Sequence, residues 1–536
     1  MSPAPHPVLP SALDTASAQY RASRAHMSTL LDEIAAEQAA ALAGGGEKYT
    51  ARHRERGKLP VRERIDLLLD EHSPFLELSP LAGWGTADPV GSGFVTGVGT
   101  VSGVQCVILA NDPTVRGGSR NPSSMLRMLR ALDIAESNRL PVVNLTESGG
   151  ADLDRQAEIF VPGGEQFARL TRMSAAGIPS VTVVFGPSTA GGAYVPGMSD
   201  YTILVEDRAR VYLGGPPLVK MATGEEADEE ELGGAAMHAR LSGLADFLAA
   251  DETDALATAR RVVGQLGVRR MGPTPLPSPE PPKHNAEELL GVVPADLRTP
   301  MDVREVIARI TDGSGFTEFK PEYGPKLVTG WARLHGYPVG VIGNNGVLFS
   351  EEAQKGAQFI HACNRSDTPL LFLQNITGFM VGTRYEQGGI IKDGAALINA
   401  VTNSAVPHLT LMVGASYGAG NYAMSGRAFR PRFLFTWPNH RIAVMGPKQL
   451  SGVLSIVRRN ASAAGGRPFD EAADAERRAA LEAKVERESS ALYATGHVWD
   501  DGVIDPRHTR DVLGIALSAT HAAEVRGTTA YGAHRH

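Results

Sequence analysis

The chain repeats itself. Val95-Thr96-Gly97 recurs as Val328-Thr329-Gly330, 233 residues later, and each copy leads through a glycine-bearing turn into an apolar strand ending in asparagine, at Asn111 and Asn344. Leu140-Pro141, before the strand to Ser148-Gly149-Gly150, is matched 228 residues on by Thr368-Pro369, before the strand to Thr377-Gly378. Thr189-Ala190-Gly191-Gly192-Ala193-Tyr194 answers to Tyr417-Gly418-Ala419-Gly420-Asn421-Tyr422 at the same offset, and Gly215-Pro216 to Gly446-Pro447 at 231. The closing match, Ser242 to Asp246 with Asp501 to Asp505, stands at 259 because a charged helix, roughly Asp470 to Leu492, is inserted before it. Glycine-rich strand-to-helix turns occur in any α/β protein, but unrelated ones do not keep register. Two copies of one supersecondary unit are required.

Within each copy, short β-branched runs alternate with helical stretches. In the first, Val95–Val98, Val107–Ala110, Pro141–Leu145 and Val181–Phe185 read as strands, and Ser123–Ser137 and Glu165–Ala175 as helices. Ahead of them, Leu30, Leu31, Ile34 and Leu42 mark a helix over Tyr20–Leu42, and Leu59-Pro60 opens a second short one. Between the copies, Met271 to Pro282 carries six prolines and reads as a stiff linker that disfavours folding one copy's face onto the other. The expected division is a disordered tail over 1–17, a first domain over 18–272, a linker over 273–285, a second domain over 286–525 and a tail over 526–536.

With 52 Lys+Arg against 59 Asp+Glu, a net charge of −7 excludes the basic excess of a nucleic-acid protein. Two cysteines, Cys106 and Cys363, build neither a disulfide framework nor a zinc ribbon, and the expected compartment is the reducing cytoplasm. No run approaches the ~18 apolar residues of a membrane span, and the opening residues have no signal or transit pattern. The fifteen histidines include no H-x-x-x-H pair, the acidic run Glu225–Glu231 has no ligand spacing, and no metal is expected.

The chemistry concentrates in the two turns. Val181–Phe185 precedes Gly191-Gly192, and Leu409–Val413 precedes Gly418-Ala419-Gly420. A small-residue turn of this kind presents backbone N–H groups at a helix start, where close approach and the helix dipole suit a developing negative charge. Occurring twice in equivalent positions, they point to two oxyanion holes. A dinucleotide fingerprint at Gly418 fails, because no acidic residue occurs between Met424 and Phe469. A hydrolase elbow at Gly414-Ala415-Ser416-Tyr417-Gly418 is disfavoured, because Gly186-Pro187-Ser188-Thr189-Ala190 lacks its last glycine. No nucleophile or base stands out.

Several segments closely resemble the carboxyltransferase (β) subunit of biotin-dependent acyl-CoA carboxylases: Arg56–Pro60 with Arg62–Arg64, Glu147–Ala151, Ala190–Tyr194, Leu213–Lys220, Asn345–Ser350, Leu373–Met380, Ser416–Tyr422 and Val498–Gly502. The wording is most similar to the 3-methylcrotonyl-CoA branch. The resemblance implies an α/β chain of two tandem crotonase-like domains, each a superhelix of ββα units. It implies that CO2 moves from carboxybiotin on a partner, the biotin carboxylase/biotin carboxyl carrier (α) subunit, to an acyl-CoA, and that the cofactor supplies the missing base.

By position, the amides of Gly191 and Gly192 would hold the acyl-CoA thioester oxygen, and those of Ala419 and Gly420 the biotin ureido oxygen. Ser148, Gly149, Gly150, Ala151, Ala193 and Tyr194 would line the acyl-CoA side; Thr377, Gly378, Phe379 and Tyr422 the biotin side. Arg127 and Arg130 are expected to contact CoA phosphates or lie solvated at the surface. Biotin would not be attached to this chain, since Val219-Lys220-Met221 lacks the first methionine of a biotinylation site. A hexamer, a trimer of dimers with shared sites, is implied, with neither nucleic acid nor membrane as partner.

Ser119-Arg120-Asn121-Pro122 departs from the branch's usual Tyr-Tyr-Pro, Met445–Gly452 from its usual Met-Gly-Gly-Glu-Gln pattern, and Thr146-Glu147 from its usual Val-Asp. The acyl group is therefore open: 3-methylcrotonyl-CoA or a related branched or medium acyl-CoA, with a propionyl- or acetyl-CoA type as the alternative. A sodium-pumping decarboxylase subunit or a non-catalytic assembly protein are the readings from other classes.

Overall fold

The computed structural model describes residues 6–267, 270–533 and 535. The first half forms β1 (Leu76–Glu77), β2 (Phe94–Val101), β3 (Val104–Asn111), β4 (Val142–Ser148), β5 (Ser180–Thr189), β6 (Tyr201–Val205), β7 (Arg210–Tyr212) and β8 (Phe247–Ala249). The second forms β9 (Thr317–Glu318), β10 (Leu327–Leu334), β11 (Tyr337–Asn344), β12 (Leu370–Ile376), β13 (His408–Tyr417), β14 (Phe433–Thr436) and β15 (Arg441–Ala443). The sheets run β1-β2-β3-β4-β5-β6-β8 and β9-β10-β11-β12-β13-β14, with β7 on β5 and β15 on β13.

In both, an antiparallel hairpin passes into parallel strands. The parallel strands are buried along their length, which is why they read as continuous apolar runs. Even the irregularities repeat: β4 shifts register against β5 between Thr146 and Ser148, and β12 against β13 between Gln374 and Ile376, 228 residues on.

The halves share packing rather than joining through the proline segment alone. One core holds Met128, Ala131, Leu132 and Ala135 of the Pro122–Asn138 helix together with Phe433, Phe435, Trp437, Leu513 and Leu517. The proline segment is pinned along the second half: Gly272 N donates to His521 O, and Leu276 N to Gly336 O. Proline removes donors but leaves carbonyls and intervening amides free to bond, so a stiff segment still docks.

Residues 7–17, expected as part of a loose tail, dock on the second half. Phe316 N donates to Pro7 O, Ser11 Oγ to Glu305, and the Ser17 side chain caps the Ala18–Leu42 helix. That helix sets the Tyr20 ring on Gly291 of the second half, where any side chain would collide with it. The far end also docks, Gly527 N donating to Asp367 at 2.7 Å.

Candidate active site

The ends of β4 and β5 open onto one cavity of about 460 Å³. Ser148, Gly149, Gly150, Ala151, Gly191 and Gly192 all line it, as the sequence reading expects. Ala193 and Tyr194 do not: Ala193 is buried under the turn, and Tyr194 lies on the outer surface with its ring 5.7 Å from that of Phe167. The apolar wall comes from residues the sequence reading did not assign to the site, Met125, Ile159, Phe167, Leu213 and Leu218. Ile159 and Phe167 lie on a helix over Gln156–Ala175 that begins nine residues before the expected Glu165 and contains Pro162.

Backbone bonds build the cavity floor. Gly149 N donates to Gly117 O at 3.1 Å, Arg120 N to Gly150 O at 2.9 Å and Asp152 N to Arg120 O at 2.8 Å. Below Ser148, the Glu147 carboxylate pairs with Arg64 at 2.8 Å and with Lys58. Burial alone would raise its pKa, but Arg64 and Lys58 hold it below the usual range. Gly186 leaves room for this cluster, since a Cβ there would lie 2.7 Å from a Glu147 oxygen.

The second half repeats the arrangement with different side chains. Leu348 N donates to Gly378 O at 3.1 Å and Met380 N to Leu348 O at 2.9 Å, the counterparts of the Arg120 bonds. Gly378 and Gly150 hold the same left-handed φ region, at 127° and 105°. Asn375 replaces Glu147 and accepts from Ala415 N at 3.1 Å. Under the Ala419–Gly420 turn, Asn421 Nδ2 donates to Ser416 Oγ at 2.8 Å, Ser416 Oγ to Gln374 Oε1 at 2.6 Å, and Gln374 Nε2 to Met424 O at 2.6 Å. Thr377, Ala419 and Tyr422 are exposed around this turn and Phe379 is half-buried against Gly394.

The strained position in each turn precedes the expected glycines. Ala190 has φ 55° and Gly418 φ 56°, whereas Gly191, Gly192 and Gly420 lie outside the left-handed region. The first-turn N–H groups that follow have no acceptor four residues back. Gly420 is small for packing, since a Cβ would overlap Ile376 Cγ1, while at Gly191 it would reach Phe167 Cζ at 3.5 Å.

Arg127 and Arg130 are neither phosphate contacts nor solvated. Both are buried, with their donors consumed: Arg127 on Leu78 O, Gly91 O, Phe94 O and Glu77, and Arg130 on Asp501, Pro431 O and Arg432 O. Among the described residues no cluster of three potential metal ligands occurs.

Residues 52–533 match the carboxyl transferase domain. The chain belongs to the carboxyl transferase family. It is 60% identical to a probable biotin-dependent acyl-coenzyme A carboxylase beta2 subunit of Mycobacterium tuberculosis, over 98% of this chain and 100% of that one. It is 51% identical to the same organism's biotin-dependent 3-methylcrotonyl-coenzyme A carboxylase beta1 subunit, over 91% and 93%. Among solved structures, the beta subunit of P. aeruginosa geranyl-CoA carboxylase superposes with a TM-score of 0.90 at 44% identity, covering 98% of this chain and 100% of that one. This carboxyltransferase is therefore a β subunit of a biotin-dependent acyl-CoA carboxylase, with two crotonase-like domains in one chain. Among the described residues no helix is long and apolar enough to cross a membrane.

Proposed function

We propose that this subunit transfers CO2 from carboxybiotin, carried by a separate α subunit, to 3-methylcrotonyl-CoA or a related branched or medium-length acyl-CoA. The Gly191 and Gly192 amides of one subunit would hold the thioester oxygen, and the Ala419 and Gly420 amides of a second would hold the biotin ureido oxygen. The observation that carries this reading is the cavity at Gly191, lined by first-half residues alone and mostly apolar.

Carboxybiotin supplies both the CO2 and, after its release, the base. This chain's residues bind and orient. Two N–H groups aimed at the thioester oxygen lower the cost of charge on it, an effect worth about 3–4 kcal/mol per donor elsewhere. The apolar wall excludes water from that charge, and the Gln374–Ser416–Asn421 bonds hold the second turn in shape. Tyr422 and Phe379 offer aromatic surface beside an exposed amide, which suits a flat ureido ring.

A pair of subunits facing each other explains the exposed apolar groups around both turns. Phe160 and Met221 flank the first and are 79% and 78% exposed; Val444 and Ile456 flank the second at 77% and 60%. Such patches mark contact surfaces. The test is mass spectrometry of acyl-CoA products after the subunit is mixed with a carboxylated biotin carrier and a panel of acyl-CoAs. A carboxylated branched or medium-chain product is expected, and no carboxylated product from any acyl-CoA overturns the reading.

A further inference from the structure

The acyl cavity contains a charge without a counter-charge. Arg120 is half-buried in its wall, its guanidinium stacked 4.1 Å over the Phe94 ring and 3.1 Å from Met128 Sδ. No carboxylate among the described residues pairs with it, and burial lowers its pKa to about 10. A cation drawn partly out of water without a counter-charge is costly, and a cation–π contact offsets only part of that cost. The fold does not demand it: at the equivalent backbone bridge of the second half, Leu348 with Phe379 in place of Arg120 with Ala151, the side chain is a fully buried leucine.

A second polar group faces the same space. Gln166, only 6% exposed, lines the cavity and its Nε2 has no hydrogen-bond partner. It lies on the helix face that carries Ile159 and Gly163, and a Cβ on Gly163 would lie 4.0 Å from Met125 Cε, one turn from Met128. Arg120 thus touches Met128, and Gln166 sits about one helical turn from the Gly163 that faces Met125, so both belong to the Met125–Met128 end of the cavity wall. The Arg120 backbone stands two strand spacings, about 10 Å, from the turn bearing Gly191. A thioester oxygen held at Gly191 leaves the distal end of the acyl chain facing them.

We propose that Arg120 and Gln166 form a receptor for an anionic oxygen group, a carboxylate, at the distal end of the acyl chain, so that the subunit selects acyl-CoAs ending in one. This rests on the placement of the acyl chain proposed above and, of the acyl-CoAs named there, favours a branched or medium-length one with a terminal carboxylate over 3-methylcrotonyl-CoA, whose chain ends in methyl groups. Guanidinium and amide together match a carboxylate's acceptors, while the apolar walls take the intervening carbons.

The test is calorimetric binding to the whole β subunit of two acyl-CoAs of equal length, one ending in methyl and one in carboxylate, with turnover of both by the α–β holoenzyme. Wild type should bind the carboxylate form at least tenfold more tightly. Arg120→Leu should erase that preference; Gln166→Glu, which keeps Arg120 but adds a repelling charge, should weaken the carboxylate form more than the methyl form. Equal binding of the two forms by wild type, or equal weakening of both by Arg120→Leu, overturns the proposal. Should Arg120→Leu not fold, the wild-type preference and Gln166→Glu decide. Failure of the holoenzyme to carboxylate any acyl-CoA instead removes the functional reading beneath it.

Discussion

Arg130, on a helix of the first half, grips Asp501, in a loop of the second, through two hydrogen bonds of 2.7 and 2.8 Å, with Asp501 fully buried. Arg427 adds a third at 2.9 Å and Leu434 N a fourth at 2.8 Å. Burial alone would raise the Asp501 pKa, but Arg130 and Arg427 bring it down to about 2. Its neighbour Asp500 goes the other way, pushed by burial up to about 7.

Asp501→Asn leaves the buried Arg130 and the partly buried Arg427 short of a counter-charge, and a loss of about 3–5 kcal/mol is expected. The signs with pH are opposite for the pair. A depressed pKa stabilises above the unfolded value of 3.8 and is lost as pH falls toward 2. A raised one is harmless below 3.8 and costs stability as pH rises toward 7. Urea midpoints measured across that window should therefore show Asp500→Asn gaining on wild type from about pH 5 to pH 7 and holding level above. A constant difference would mean that Asp500 ionises normally.

The two turns should respond differently to a single methyl group. Gly420→Ala forces a Cβ onto Ile376 and should cost about 1–3 kcal/mol, while Gly191→Ala meets Phe167 at an ordinary distance and should leave the melting temperature unchanged. Gly418→Ala puts a Cβ on backbone at φ 56° and ψ −147°, a conformation nearly confined to glycine, and 3.3 Å from Val444 O, so a cost of about 1–3 kcal/mol is expected. Thermal melts of the three variants check the order.

The repeat was legible because backbone-shaped positions keep their spacing: Gly150 and Gly378, or Ser188 and Ser416, stand 228 apart in sequence and in equivalent places in the fold. Ser148 to Ala151 fall together on one cavity for the same reason, being residues at and just past a strand end whose placement is set locally. Arg127 and Arg130 were misread because their partners, up to Asp501, come from distant sequence, and a helix pattern alone does not tell a buried arginine from a solvated one. The Gln156–Ala175 helix was half missed because Pro162, Gly163 and Gly164 read as a break, although Pro162 sits inside the helix at its seventh residue, past the first turn where a missing N–H is free. That concealed Ile159 and its place in the apolar wall.

The Asn421–Ser416–Gln374 bonds make a further prediction, because the first half has no such network: Thr146, Ser188 and Ala193 stand there instead, and Ser188 Oγ donates to Gly192 O at 2.9 Å. Asn421→Ala should loosen only the second turn. Holoenzyme kinetics should show kcat falling about tenfold with the acyl-CoA KM unchanged, since the cost of one lost buried hydrogen bond is of order 1–3 kcal/mol. A raised acyl-CoA KM would contradict the separation of the two turns.

The division of roles leads to the last prediction. Although the halves share a core within one chain, the cavity at Gly191 is lined by first-half residues alone, so the proposed site takes its second turn from another subunit. Gly191→Val fills the approach to the first pair of amides and should abolish acyl-CoA carboxylation while sparing acyl-CoA-independent cleavage of carboxybiotin. Gly420→Val should abolish both. In an isologous dimer each subunit contributes its first half to one site and its second half to the other. A mixed dimer of the two variants then holds one site with both turns disabled and one with both intact. Mixing the two inactive proteins under conditions that exchange subunits should restore up to about a quarter of wild-type activity at equal amounts, since half of the dimers are mixed and each has one working site of two. The proportion of mixed dimers is read by native mass spectrometry of differently tagged subunits. Exchange without recovered activity would place both turns of a site in one subunit.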